Sequence, residues 1–310
     1  MKNGLFARSE ANPILTAADW PTAVNAVFNP AAVQLGGETV LLARVEAQTG
    51  ISHLTVARSA NGFDGWVIDE EPLLAPTDGV DDEQWGFEDA RAVWVAELST
   101  HVITCTAYGP AGPAVFMATT ADFRSVERRG IVVTPEDKNA ALLPERVNGK
   151  WILFHRPTSH FAASGSGISL SRSDDLRSWS PPEVVMEPRD GAWWDSLRIG
   201  IGPPLIRTEH GWLLVYHGVK ETVTGAIYRV GLALLDLDEP TRVLRRAHDW
   251  ALAPSESYER VGDVPNALFP CGLIHDEELG ELRLYYGAAD TSICLATASY
   301  DEVLAKVLSG

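Results

Sequence analysis

The chain has 310 residues, 45% hydrophobic and 22% charged, an ordinary globular composition with enough length to bury a substantial core. Its formal net charge of −17 argues against nucleic acid or an anionic membrane as a partner, because phosphate groups reward Lys and Arg. Three scattered cysteines, Cys105, Cys271 and Cys294, form no C-x-x-C pair, so neither a disulfide framework nor a zinc site is expected. They read as buried thiols of a reducing, cytoplasmic compartment. Met1 to Ala11 carries charges and no apolar h-region, so no secretory signal is expected. Apolar runs such as Trp212–Tyr216 are strand-sized and too short to span a bilayer.

In chain order, five segments repeat one pattern: a β-rich run, a turn, and a second β-rich run. The pairs are Thr39–Arg44 with His53–Ser59, His101–Tyr108 with Ala114–Thr120, and Lys150–His155 with Gly167–Ser173. Gly211–His217 with Ile227–Leu235 and Glu281–Gly287 with Ser292–Ser299 complete the set. Val, Leu, Ile, Tyr and Trp fill the runs, and Gly, Asn, Asp and Pro bound them, which is strand-and-hairpin chemistry. Second runs end alike, as in TVARSANGFDGW, VFMATTADFRSV and ISLSRSDDLRSW, while the fourth departs as VGLALLDLDEPTRV. Repeated hairpins at a period of roughly 50 to 70 residues fit propeller blades. The expected fold is all-β: a five-bladed β-propeller occupying residues 1–310 as one catalytic domain, with the N-terminal segment helping to close the ring. A β-sandwich is the competing architecture. The first run of each pair is expected to line the central channel. Asp301–Val307 is expected as a short helix.

Several segments break the apolar pattern near strand ends. In Trp85-Gly-Phe-Glu-Asp-Ala-Arg91, Glu88 and Asp89 are neighbours, and neighbours on a strand point to opposite faces. One could act as a general acid while the other orients the loop; a solvated loop with a local Asp–Arg pair explains the segment equally well. His155 and Arg156 end a strand, and a channel-facing Arg there would bind an anion or a sugar hydroxyl. Trp193-Trp194-Asp195-Ser196 looks like a carbohydrate site, since sugar rings stack on indoles. Alternation also predicts that one of these tryptophans is core. Tyr216-His217, Tyr228-Arg229 and Tyr285-Tyr-Gly-Ala-Ala-Asp290 occupy comparable strand ends. Arg156, Arg198 and His217 together make a natural phosphate site, because Arg presents a planar fork of donors to phosphate oxygens. No nucleotide-binding glycine loop or H-E-x-x-H occurs, and no metal site is evident.

The segments FNPAAV, GFEDARAV, KNAALLPERVNGKWILFHRP, WWDSLRIGIGPPLI, WLLVYHGV, GDVPNALFPCG and YYGAADTSICLATA together resemble glycoside hydrolase family 130, the β-mannoside phosphorylases and β-1,2-mannosidases. The resemblance runs from about Asn29 to Asp290. It implies a five-bladed propeller acting with inversion, and Asp89 as general acid, protonating the leaving oxygen through the 3-hydroxyl of the bound mannose. It further implies that Asn29, Arg44 and Asp290 hold the mannosyl unit, and that Asp195 and Asp263 shape its pocket. Lys138, Arg156, Arg198, His217 and Tyr228 match the family's phosphate-binding positions. Arg198 stands where some members have Lys. Ala43 precedes Arg44 where a Tyr is frequent, and Ala31 or Ala32 stands near a frequent Gly.

A phosphorylase needs no catalytic base, only a basic pocket opposite the acid. An inverting hydrolase needs a second carboxylate about 6.5 to 9.5 Å from the acid, for which Glu88 or Asp195 is available. The expected activity is phosphorolysis of β-1,2- or β-1,4-linked manno-oligosaccharides to α-mannose 1-phosphate, with inorganic phosphate as co-substrate and no cofactor. A hydrolase and a non-catalytic sugar-binding propeller are the alternatives. His160, Phe161 and Phe269 are expected to set the acceptor. Exposed loop aromatics are compatible with a homo-oligomer.

Overall fold

The computed structural model describes residues 4–158 and 167–310. Five antiparallel sheets form in chain order. Blade 1 comprises Ala26–Leu35, Glu38–Glu46, Ser52–Ser59 and Val67–Ile68; blade 2 comprises Phe87–Val95, Thr100–Gly109, Gly112–Thr120 and Glu127–Val133. Blade 3 is built from Asp137–Leu142, Trp151–Pro157, Ile168–Ser173 and Glu183–Met186. Blade 4 contains Arg198–Ile201, Gly211–Thr222, Gly225–Leu235 and Val243–Arg246, with Ile206–Thr208 added beside its second strand. Blade 5 has Leu268–Asp276, Glu281–Ala288 and Ser292–Ser299, and Ala7–Arg8 and Leu15–Thr16 supply its outer strand. Each apolar core lies between two consecutive blades. Val95, Val102 and Met117 of blade 2 meet Leu142, Trp151 and Leu153 of blade 3, while Leu41, Ala43 and Val45 of blade 1 meet Tyr285, Ile293 and Leu295 of blade 5. A blade cannot bury both faces alone, so the five stack radially into a propeller.

The hairpin repeat legible in the sequence is the middle pair of strands in each blade. The expectation that its first run lines the channel is corrected. The innermost strand is an additional one preceding the pair, and these innermost strands pack against one another around the axis. The similar turn sequences have a shared cause. Ser59, Thr120 and Ser173 hydroxyls each accept a backbone N–H three residues on, from Gly62, Phe123 and Leu176, at 3.0, 2.9 and 2.9 Å. In the fourth blade Asp236 Oδ1 replaces that hydroxyl, accepting from the N–H groups of Asp238 and Glu239, which explains its divergent sequence. The terminal helix spans Tyr300–Leu308, capped by Ser299, and buries Val303, Leu304 and Val307 against blades 4 and 5. No helix among the described residues is long and apolar enough to cross a membrane.

A part-buried ion pair ties the N-terminal strand to the segment that precedes blade 5. Arg8, on the N-terminal strand, donates to Glu259 Oε1 from Nε at 2.7 Å and to Oε2 from Nη2 at 2.9 Å. Glu259 is fully buried and also accepts from the Tyr286 hydroxyl and from the N–H groups of Ser255 and Glu256. Burial alone would raise its pKa, but Arg8 and the backbone donors outweigh that and hold it below the usual carboxylate range. Its contribution is therefore complete above the unfolded pKa and is lost as pH falls through the folded one. Glu259→Gln is expected to lower the unfolding free energy in urea at pH 7 by about 3 kcal/mol, with a smaller deficit in acid. An unchanged urea midpoint at pH 7 would contradict this role.

Candidate active site

A cavity of about 380 Å³ opens at one end of the channel, and its walls hold two groups of opposite charge. Glu88, Asp89 and Asp290 gather around Arg44, with Asn29 bonded to Asp89, and Lys138, Arg156, Arg198, His217 and Tyr228 form a second, basic group in the same lining, with Phe269 against His217. The first three blades aim their residues here by the same backbone device. Each innermost strand carries a register shift, at Phe28/Ala31, Glu88/Arg91 and Lys138/Ala141. Within each shift stands one left-handed residue: Asn29 at φ 47°, Asp89 at φ 51° and Asn139 at φ 56°. A bulge re-aims the side chain that a regular pleat would bury in the sheet, and Asn and Asp tolerate its left-handed backbone.

On the acidic side, Asp89 Oδ1 accepts from Asn29 Nδ2 at 2.8 Å and lies 3.4 Å from Arg44 Nη1. Arg44 also pairs with Glu88 at 3.1 Å and Glu46 at 3.6 Å, and Nε donates to Ser52 Oγ. Gly287 permits this packing, because a Cβ there would overlap the Asn29 carboxamide and lie 2.9 Å from its backbone nitrogen. Burial would raise the Asp89 pKa, but Arg44, Arg91, Lys138 and the Asn29 bond hold it below the usual range. Asp290 goes the other way. Burial and the nearby charge of Asp89 push it up to about 7, against the pull of Arg44.

On the basic side, Lys138 and Arg156 are direct cross-strand partners. Burial and the neighbouring Arg198 lower Arg156 to about 10. Arg198 Nη2 donates to the Tyr228 hydroxyl at 2.5 Å. His217 stacks between Phe269, 4.5 Å between ring centroids, and Tyr228, at 6.2 Å. Burial, then Arg156, Arg91, Arg198 and Lys138, lower its pKa well below the usual value, so the imidazole is neutral at pH 7. Like charges this close repel one another, and an anion between them removes the repulsion.

A family model described as beta-1,4-mannooligosaccharide phosphorylase matches residues 9–308. The chain belongs to glycoside hydrolase family 130. It is 34% identical over 308 residues to the β-1,4-mannooligosaccharide phosphorylase of Ruminococcus albus, covering 97% of this chain and 90% of that one. It is 36% identical over 256 residues to the β-1,2-mannobiose phosphorylase of Listeria innocua, covering 83% and 69%. A solved structure of β-1,2-mannobiose phosphorylase from Listeria innocua, in complex with β-1,2-mannobiose, superposes with a TM-score of 0.89. That match has 29% identity and covers 98% of this chain and 99% of that chain.

Two residues expected in the sugar pocket of this family 130 protein lie outside the cavity lining. Asp195 is fully buried, 2.6 Å from Arg246 Nη2 and 3.4 Å from Arg189 Nη1, and accepts from the Tyr216 hydroxyl at 2.9 Å. It anchors an ion-pair cluster beside Trp194, on the opposite face of the strand from His217. Asp263 is exposed, accepts from Asn25 Nδ2 at 3.1 Å, and stands next to the lining residue Val264. His155 also turns away from the cavity, bonded to Asp137 at 2.6 Å and Ser171 at 2.9 Å. His160 and Phe161 fall outside the described residues.

Sequence reasoning missed the role of Arg91. It is buried, and donates from Nε to Gly202 O at 3.1 Å, from Nη2 to Ile201 O at 3.0 Å and from Nη1 to Asp89 O at 2.5 Å. Gly200 was missed as well. A Cβ there would lie 2.6 Å from His217 Nε2 and 2.8 Å from Asn139 Nδ2, so only glycine lets the His217 ring sit against this strand. Gly200→Ala is expected to displace His217 and raise the KM for phosphate roughly tenfold, the effect of weakening one or two hydrogen bonds. Phosphate-dependent initial rates read this directly, and an unchanged KM would contradict the arrangement.

Proposed function

We propose that this chain is an inverting β-mannoside phosphorylase, cleaving β-1,2- or β-1,4-linked manno-oligosaccharides with inorganic phosphate to give α-mannose 1-phosphate. One observation carries the choice of phosphorolysis over hydrolysis. Asp89 shares its cavity with the basic group Lys138, Arg156, Arg198, His217 and Tyr228, and the other lining carboxylates, Glu88 and Asp290, group with Asp89 around Arg44 rather than among those cations. An inverting hydrolase needs a carboxylate base on the opposite face of the sugar ring to activate water. Asp195 is consumed by two arginines, and Glu88 lies on the acid's own side, paired with Arg44.

In the proposed reaction, Asn29, Arg44 and Asp290 hold the mannosyl unit between the two walls. Phosphate lies against Lys138, Arg156, Arg198, His217 and Tyr228, and its oxygen attacks the anomeric carbon in line with the leaving oxygen. The Asp89 proton passes to the mannose 3-hydroxyl, whose own proton passes to the leaving oxygen as the glycosidic bond breaks. Arg44, Arg91 and Lys138 favour the ionised form of Asp89. A phosphate dianion on Lys138 neutralises that cation and raises the proton affinity of Asp89. Phosphate binding and arming of the acid are thus coupled. Phosphate is the sole co-substrate and no cofactor takes part. A cytoplasmic location belongs to the same proposal, supported by three cysteines that remain free and buried.

Two substitutions separate the walls. Asp89→Asn is expected to lower kcat by about 10²- to 10⁴-fold with phosphate affinity retained, because it removes a general acid. Arg156→Ala is expected to raise the KM for phosphate by roughly 10- to 100-fold, with a much smaller effect on the KM for mannoside. Steady-state kinetics with each substrate varied in turn check both. Normal turnover in Asp89→Asn would overturn the assignment of the acid, and an unchanged phosphate KM in Arg156→Ala would overturn the phosphate wall.

A further inference from the structure

Blade 4 has a second cleft. Tyr228 enters the catalytic cavity, and its strand neighbour Arg229 points to the opposite face. There a cavity of about 510 Å³ is lined by Trp193, Trp250, Arg229, Lys220, His248 and Asp249. Trp193 and Trp250 are 40% and 46% exposed. Each is backed by a guanidinium: Arg189 lies 4.7 Å from the Trp193 ring centroid, and Arg229 lies 4.6 Å from that of Trp250. The intervening Trp194 is buried, and its Nε1 donates to His248 O at 2.8 Å, fixing the loop that carries Trp250. The two exposed indoles are therefore held in place without a ligand.

The polar groups in this cleft are incompletely used. Nε and Nη1 of Arg229 are buried with no acceptor among the described residues. Burial lowers its pKa, and no carboxylate offsets that shift. Lys220 Nζ donates to Ala192 O at 2.8 Å. Its ammonium has three protons, so further donors remain. Exposed indole faces beside the Lys220 ammonium match a pyranose chain, whose C–H faces stack and whose hydroxyls accept. A protein partner would call for a broader continuous apolar face than two separated indoles.

We propose that this tryptophan cleft binds a chain of β-linked mannose residues outside the catalytic cavity, as an accessory site on the far side of the blade 4 hairpin. The identity of the sugar rests on the mannoside reading of the catalytic cavity. In this proposal the cleft keeps long substrates at the enzyme surface.

The test is affinity electrophoresis through gels containing soluble β-1,4-glucomannan, with a β-1,2-mannan gel in parallel and dextran as control. Asp89→Asn is run with and without Trp193→Ala and Trp250→Ala. The cleft predicts retardation of Asp89→Asn by at least one mannan. It also predicts binding weaker by about tenfold or more when both tryptophans are removed, the combined loss of two stacking contacts. In otherwise unaltered enzyme, the double tryptophan variant should phosphorolyse disaccharides within about twofold of the parent rate, its melting temperature reporting intact folding. Equal retardation with and without the tryptophans would overturn the proposal. A change in oligomeric mass by light scattering on removing them would also overturn it, assigning the cleft to a second copy of the chain. Absence of phosphorolysis in the parent enzyme would instead count against the catalytic reading.

Discussion

The guanidinium of Arg91 crosses the central channel and donates to three backbone carbonyls, those of Asp89 in blade 2 and of Ile201 and Gly202 at the end of the first strand of blade 4. These bonds fix the distance between the acid and the strand that carries Arg198 and Gly200. The planar fork suits this task, because its donors diverge at fixed angles. A buried cation bonded only to carbonyls is costly to desolvate, and the structure tolerates the cost at the point where the two walls must keep their spacing. Phe269 packs against the same guanidinium, 5.5 Å from ring centroid to Cζ, and against His217. His217 and Asp89 therefore share one buried support.

Given that spacing, the chemistry follows from the separation of charge. Three carboxylates around Arg44 leave the acidic side close to saturated with its own partners. On the basic side, burial and the neighbouring Arg198 lower Arg156, and burial with the surrounding cations lowers the neutral His217. An anionic nucleophile completes that wall, whereas water would leave its charges unbalanced. The kinship with mannoside phosphorylases and the geometry of the cavity thus lead to the same chemistry by separate routes.

The middle hairpins of the blades were legible because their strands are rich in Val, Leu, Ile, Tyr and Trp and, in the first three blades, end in a Ser or Thr that caps a polar turn. Their innermost partners were not, since a bulge in FNPAAV, FEDARAV and KNAAL breaks the period-two pattern at the residues that matter. A left-handed Asn or Asp flanked by small apolar residues is the signal that could have found them, at Asn29, Asp89 and Asn139. Asn29, Arg44, Asp89, Asp290, Lys138, Arg156, Arg198, His217 and Tyr228, named from family resemblance and strand-end position, all line one cavity. Asp195 was misplaced because one residue on a strand changes the face: Trp194 and Asp195 share a cluster with Tyr216, while His217 turns to the cavity. The roles of Arg91 and Gly200 depend on contacts across blades, which no local pattern contains.

The central claim is that the nucleophile is phosphate. Purified protein incubated with β-1,2-mannobiose and with β-1,4-manno-oligosaccharides, with and without inorganic phosphate, can be followed by proton NMR of the anomeric region. The account predicts α-mannose 1-phosphate that forms only when phosphate is present. Free mannose released at the same rate without phosphate would contradict it.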